Sequence, residues 1–172
     1  MNTSPQNGDR PTVVLVHGAF ADASGWNDVI ERLQANGVRC IAPPNPLRGI
    51  PIDSAYIASL LEQVPGPVLA VGHSYGGAVL TNAATNANNV VGLVYVAAFA
   101  PDEGERLVEI ESGSRDSVLT TVLMRISPIS SASVVETVMP SARSSWVARR
   151  RIRTLYFPVC SSSSVFMQGP GF

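Results

Sequence analysis

From Thr12 to Ala100 the chain alternates two hydrophobic patterns: short unbroken apolar runs, and segments whose apolar residues recur every three or four positions. "TVVLVHG" is a β-branched run ending at Gly18, the pattern of a strand buried on both faces of a parallel sheet. After the loop "AFADASG", Trp26, Val29, Ile30 and Leu33 fall at i, i+3, i+4 and i+7. That spacing predicts an amphipathic helix with Ser24 as its cap and Gly37 as its stop. "VRCIAPP" predicts a second, short strand closed by prolines. Asp53 then reads as the N-cap of a helix bearing Tyr56, Ile57, Leu60, Leu61 and Val64, which "PGP" ends. A third strand, "VLAVG", a helix of small residues, "GGAVLTNAAT", and a fourth strand, "VVGLVYVAA", complete the series.

Such alternation with short connections predicts an α/β fold, a three-layer sandwich with a mostly parallel sheet between helices. Right-handed crossovers leave few other topologies. The rhythm stops after Asp116. "DSVLTTVLM" suits a helix, "SVVETVM" a weak strand or helix, and "RRRIRTLYFPVC" joins a basic cluster to one strand-like run. No further strand–helix unit is visible, so the C-terminal part of the fold is expected to be incomplete and the edge of the fourth strand open. The expected organisation is a core over residues 1–125 and a divergent, Arg/Ser-rich tail over 126–172 that is not a separate domain.

Composition sharpens that division. A chain of 172 residues, 45% apolar, with mean hydropathy +0.19, is long enough for one buried core. All 12 basic residues are arginine. Residues 1–116 hold 12 acids and 6 arginines (−6), and residues 117–172 hold Glu136 and 6 arginines (+5), which sum to the net −1. A tail altered by truncation or by a change of reading frame would carry such a shift. The near-neutral total gives no reason to expect a nucleic-acid partner, and "RRRIR" reads as a solvated cluster. "CSSSS" is low complexity without ligand spacing. The start, "MNTSPQNGDRPT", lacks a signal-peptide layout, and the longest apolar run, residues 90–100, is too short to span a bilayer. Cys40 and Cys160 have no metal-type spacing and suit a reducing compartment. A cytoplasmic location without a membrane partner is the expectation.

The chemistry concentrates at "GHSYG", a G-x-S-x-G pattern after an expected strand and before an expected helix. There the serine, Ser74, sits on a tight strand-to-helix turn that lifts its Oγ above the sheet, while Gly72 and Gly76 let the two backbones pass closely. The Tyr75 amide opens the helix, where free N–H groups favour negative charge, so it can stabilise an oxyanion. A serine hydroxyl needs a base, and the sequence holds two histidines, His17 and His73. His73 neighbours Ser74 on the same turn, so its ring is expected to point to the other face.

"VHGAF", the Trp26 helix, "GHSYGG" and "VYVAAFAPDEGE" resemble the α/β-hydrolase superfamily over residues 11–116. The likeness is strongest to the small branch of plant methylesterases and hydroxynitrile lyases and their bacterial relatives. The resemblance implies Ser74 as nucleophile, the amides of Ala19 and Tyr75 as the oxyanion hole, and Phe20 lining the acyl pocket. It implies that His17 braces the oxyanion loop. The family's base comes late in the chain, after an acid, yet no histidine or aspartate follows Asp116. Asp102 stands where some members place the acid and others enter the cap, and His17 is the remaining candidate base.

Two readings follow. One is a serine hydrolase of a carboxylic ester or similar small carbonyl compound, its activity impaired by the missing late histidine. The other is a catalytically inactive hydrolase-fold binding protein or truncated product. Neither requires a metal or an organic cofactor, and whether the chain forms a homodimer stays open.

Overall fold

The computed structural model describes residues 10–102, 105–112 and 154–157. Five strands form one sheet: β1 (Thr12–Val16), β2 (Cys40–Ile41), β3 (Val68–His73), β4 (Val90–Val96) and β5 (Thr154–Phe157). Their order is β2-β1-β3-β4-β5, and every pairing is parallel. The helices among the described residues are α1 (Asn27–Ala35), α2 (Ile50–Gln63), α3 (Tyr75–Ala83) and α4 (Leu107–Ser112). None of them is long and apolar enough to cross a membrane.

Alternation along each strand sorts the side chains into two layers. Val14, Val16, Val68, Ala70, Leu93 and Tyr95 pack with Ile57 and Leu61 of α2 and with Val79 and Leu80 of α3. On the other side Val13, Leu15 and Val71 meet Trp26, Ile30 and Leu33. This is the three-layer α/β arrangement that the sequence predicts. The continuous apolar runs follow from it, because an inner strand covered on both faces has no wet side.

Several local expectations are corrected. Asp22, not Ser24, caps the first helical turn, a 3-10 turn over Ala23–Trp26, its carboxylate accepting from the Ser24 N–H at 2.8 Å. Helix α1 then starts at Asn27, and Val29 on its expected apolar face is exposed. Gly37 follows the helix with φ +71°, the left-handed conformation that ends it. Gly49 is the N-cap of α2, so Asp53 lies inside the first turn, fully buried. Of the α2 face, Ile57, Leu61 and Val64 are buried, Leu60 is half-buried and Tyr56 is exposed.

The largest correction concerns the edge of β4. "TLYF", from the strand-like run in the expected tail, is β5, and it pairs with Leu93–Val96 from Thr154 to Phe157. The strand-like character of the run is visible in the sequence, but its pairing is not, because the edge that it completes belongs to β4. Helix α4 was not anticipated. The segments "DSVLTTVLM" and "SVVETVM" lie outside the described residues.

Candidate active site

The chain leaves β1 for β2 on one side, then returns across β1 to β3 on the other. The carboxyl ends of β1 and β3 therefore flank the point where strand order reverses, the crevice in which open α/β sheets bind ligands. Register sets their relative height: Val16 stands opposite Gly72, so the chain after Val16 emerges beside His73 and Ser74. A Cβ placed on Gly18 would lie only 2.9 Å from the Ser74 Cβ. The structure thus brings together the "HGA" and "HSY" segments, 56 positions apart in the chain (17 to 73).

Ser74 turns sharply between β3 and α3 with φ +52° and ψ −121°, a left-handed φ that a non-glycine residue adopts only under constraint. The constraints are visible. The Ser74 carbonyl accepts from Gly77 N–H and from Phe99 N–H, both at 3.1 Å, so the exit of β4 ties down the turn. A Cβ on Gly72 would come within 2.7 Å of the Gly77 backbone, and one on Gly76 would overlap the Val16 carbonyl oxygen. Only glycine allows helix, turn and strand to approach this closely. Among the described residues the N–H groups of Ala19 and Tyr75 have no acceptor. That of Tyr75 opens α3, where the helix dipole favours negative charge.

The residues flanking Ser74 go to opposite layers. His73 meets Trp26 edge-on, ring centroids 6.4 Å apart, and partial burial there lowers its pKa. Tyr75 is buried on the α2–α3 side, its hydroxyl donating to Asp53 Oδ2 at 2.7 Å. Burial first, then the Asp53 hydrogen bond and charge, push the Tyr75 hydroxyl far above the usual tyrosine range. Asp53 Oδ1 accepts the Arg48 N–H at 2.9 Å.

His17 is buried, with both ring nitrogens engaged. Nε2 accepts the Asn45 N–H at 2.9 Å, which leaves the proton on Nδ1 to donate to the Gly18 carbonyl at 2.8 Å. The Asn45 side-chain amide in turn donates to the His17 carbonyl at 3.3 Å, while Asn45 Oδ1 is buried without a partner among the described residues. Phe20 is 76% exposed. Asp102 is exposed, three residues beyond Phe99, and its N–H donates to the Glu105 carboxylate. Among the described residues no group of three or more His, Cys, Asp or Glu is placed to hold a metal ion.

Asn45 carries no signal in the sequence, and Asp53 reads there only as a helix cap. Asn45 sits in a proline-flanked loop with no periodic signal, and a carboxylate in a first helical turn is ordinary in any helix.

The chain belongs to the alpha/beta hydrolase family, whose sequence model matches residues 13–167. It is 31% identical over 110 residues to the carbendazim hydrolyzing esterase of Nocardioides sp. (strain SG-4G), covering 56% of this chain and 46% of that protein. A pyrethroid hydrolase from Sphingobium faniae JZ-2 aligns with a TM-score of 0.51 at 25% identity, over 56% of this chain and 43% of the other. An extracellular alpha/beta-hydrolase from a Paenibacillus species, described as sharing structural and functional homology with tobacco salicylic acid binding protein 2, aligns with a TM-score of 0.54. At 22% identity over 58% of this chain and 45% of that one, the likeness is one of fold. The chain spans about half the length of the relatives it matches.

Proposed function

We propose that this chain carries the acylation half of a serine hydrolase site for a carboxylic ester or similar small carbonyl compound, with Ser74 as nucleophile. The observation that carries the reading is the left-handed Ser74 turn, braced at its carbonyl and set beside the Gly18–Ala19 segment at the sheet's switch point. Membership of a hydrolase family and a 31% identical esterase relative support it. Ser74 Oγ attacks the carbonyl carbon, and the carbonyl π pair moves onto oxygen, where the Ala19 and Tyr75 N–H groups receive it. Collapse expels the leaving oxygen as an alkoxide, which takes a proton from water to become the alcohol, and leaves an acyl-serine. Water then attacks its carbonyl carbon, releasing the acid and returning the proton to Ser74 Oγ. Phe20, exposed at the mouth of the β1 segment, would contact the acyl group.

The proton is the weak point of this chain. His17 has spent both ring nitrogens and His73 is turned to Trp26, so neither takes the Ser74 proton, and it passes to solvent. Turnover by these 172 residues is therefore slow. The same engagement favours a second reading, a fold that binds a carbonyl ligand at the oxyanion site without turning it over.

A fluorophosphonate probe with peptide mapping tests the first reading. Label is expected on Ser74 and absent from Ser74→Ala, with slow p-nitrophenyl acetate turnover showing no inflection near about pH 6.5. Label spread over several serines, or unchanged in Ser74→Ala, would count against an assembled elbow, whereas label on Ser74 with no turnover at all would favour the second reading. Turnover rising through that pH and lost in His17→Ala would instead make His17 the base.

A further inference from the structure

We propose that Asp53 is a positioning residue for the oxyanion site, tying its Tyr75 half to the same 45–49 loop that meets His17. The inference rests on the proposed function of Ser74 and adds Asp53 and the Arg48 amide, which that reading does not use.

The loop "NPLRG" donates two backbone N–H groups inward. The Asn45 amide meets His17 Nε2 and so sets the tautomer whose Nδ1–H holds the Gly18 carbonyl, the other end of the peptide group that carries the Ala19 N–H. Three residues on, the Arg48 amide meets Asp53 Oδ1, while Oδ2 of the same carboxylate holds the Tyr75 hydroxyl. Tyr75 supplies the second candidate oxyanion amide. Each amide is thus reached from one loop through a short chain of hydrogen bonds, and the loop's own shape is specified, with Leu47 at φ +56° and Gly49 at φ +108°. Asp53 has no solvent contact and no cationic partner among the described ion pairs. A buried carboxylate held only by dipoles is an expensive way to fill space, which an apolar side chain fills at less cost. What the carboxylate adds is direction: two oxygens fix the loop and the head of α3 relative to each other.

Misplacing an oxyanion donor slows attack without emptying the site, so the reading lies in a rate constant and not in a yield. The experiment follows fluorophosphonate labelling of Ser74 in the full chain over time, taking amplitude as the folded, competent fraction and the rate constant as elbow geometry. Tyr75→Phe is expected to label to full amplitude about tenfold more slowly, the part of a donor's effect that misalignment removes. Asp53→Asn keeps an acceptor for the Arg48 N–H and a polar partner for Tyr75, and it is expected to recover most of the rate. Tyr56→Phe, on the exposed side of α2, is the control and should match the parent chain. Tyr75→Phe labelling at the parent rate, or losing amplitude alone, would reduce Asp53 to a structural role and overturn the proposal. Absence of Ser74 label in the parent chain would instead overturn the proposed function, and this inference with it.

Discussion

The two faces of the sheet are built to different standards. On one, α3 is buried along its whole length from Tyr75 to Ala83 and α2 contributes Ile50, Ile57 and Leu61 at 1% exposure or less. On the other, α1 has no fully buried residue, and the layer relies on half-buried Ile30 and Leu33 around Trp26. The residues on either side of Ser74 are divided between these layers, Tyr75 into the thick one and His73 into the thin one. Under the proposed function, the helix whose N-terminus would face a developing charge is the one packed on all sides, as preorganisation requires. The histidine beside the serine is left in the softer layer, against an aromatic edge.

The sharpest way to break this comparison is to empty each layer in turn. Leu61→Ala removes a fully buried side chain from the α2–α3 layer and is expected to destabilise the chain by about 2–5 kcal/mol, against less than about 2 kcal/mol for Ile30→Ala. Urea midpoints of the two variants check it, and equal shifts would mean that the layers carry comparable weight. A smaller effect is expected where the thick layer holds a polar pair. Tyr75→Phe deletes the bond to Asp53 and should lower stability by about 1–3 kcal/mol, as for hydrogen bonds to carboxylates elsewhere. A calorimetric melt of that variant indistinguishable from the parent would show that the pair directs without stabilising.

The smallest effect belongs to His73. Its pKa is lowered in the folded chain by burial, so between its folded value and the unfolded value of about 6.5 the unfolded state binds more protons. Its contribution is therefore complete above about pH 6.5 and is lost as pH falls toward the folded value. Denaturation midpoints at pH 7.5 and 5.5 should drop more in the parent than in His73→Gln. Equal drops would place the histidine in water and dissolve its packing on Trp26.

Much of the architecture was legible in the chain. Unbroken apolar runs are the pattern of strands covered on both faces, and the runs ending at Gly18, Gly72 and Ala98 became β1, β3 and β4. The glycines at 72 and 76 carried the close approach of strand and helix, since no other residue leaves that space. What local pattern could not carry was anything completed by a distant partner. β5 joins the sheet because β4 offers it an edge, and Asp53 lies inside the first turn of α2 instead of capping it, its carboxylate meeting Tyr75, 22 positions away.

The candidate site divides along the same line. By itself the sequence determined which residue types stand where chemistry is expected: a serine between two glycines, a tyrosine opening a helix, two histidines and no third. Those follow from short-range rules of turns, caps and periodicity, which act within a few residues. Tertiary structure alone decided how those groups are committed: that both nitrogens of His17 are taken up by the Asn45 amide and the Gly18 carbonyl, and that the Tyr75 hydroxyl ends on a carboxylate with no access to water. A hydrogen bond is specified by distance and direction in space, and a chain encodes these only once packing has brought its distant segments together.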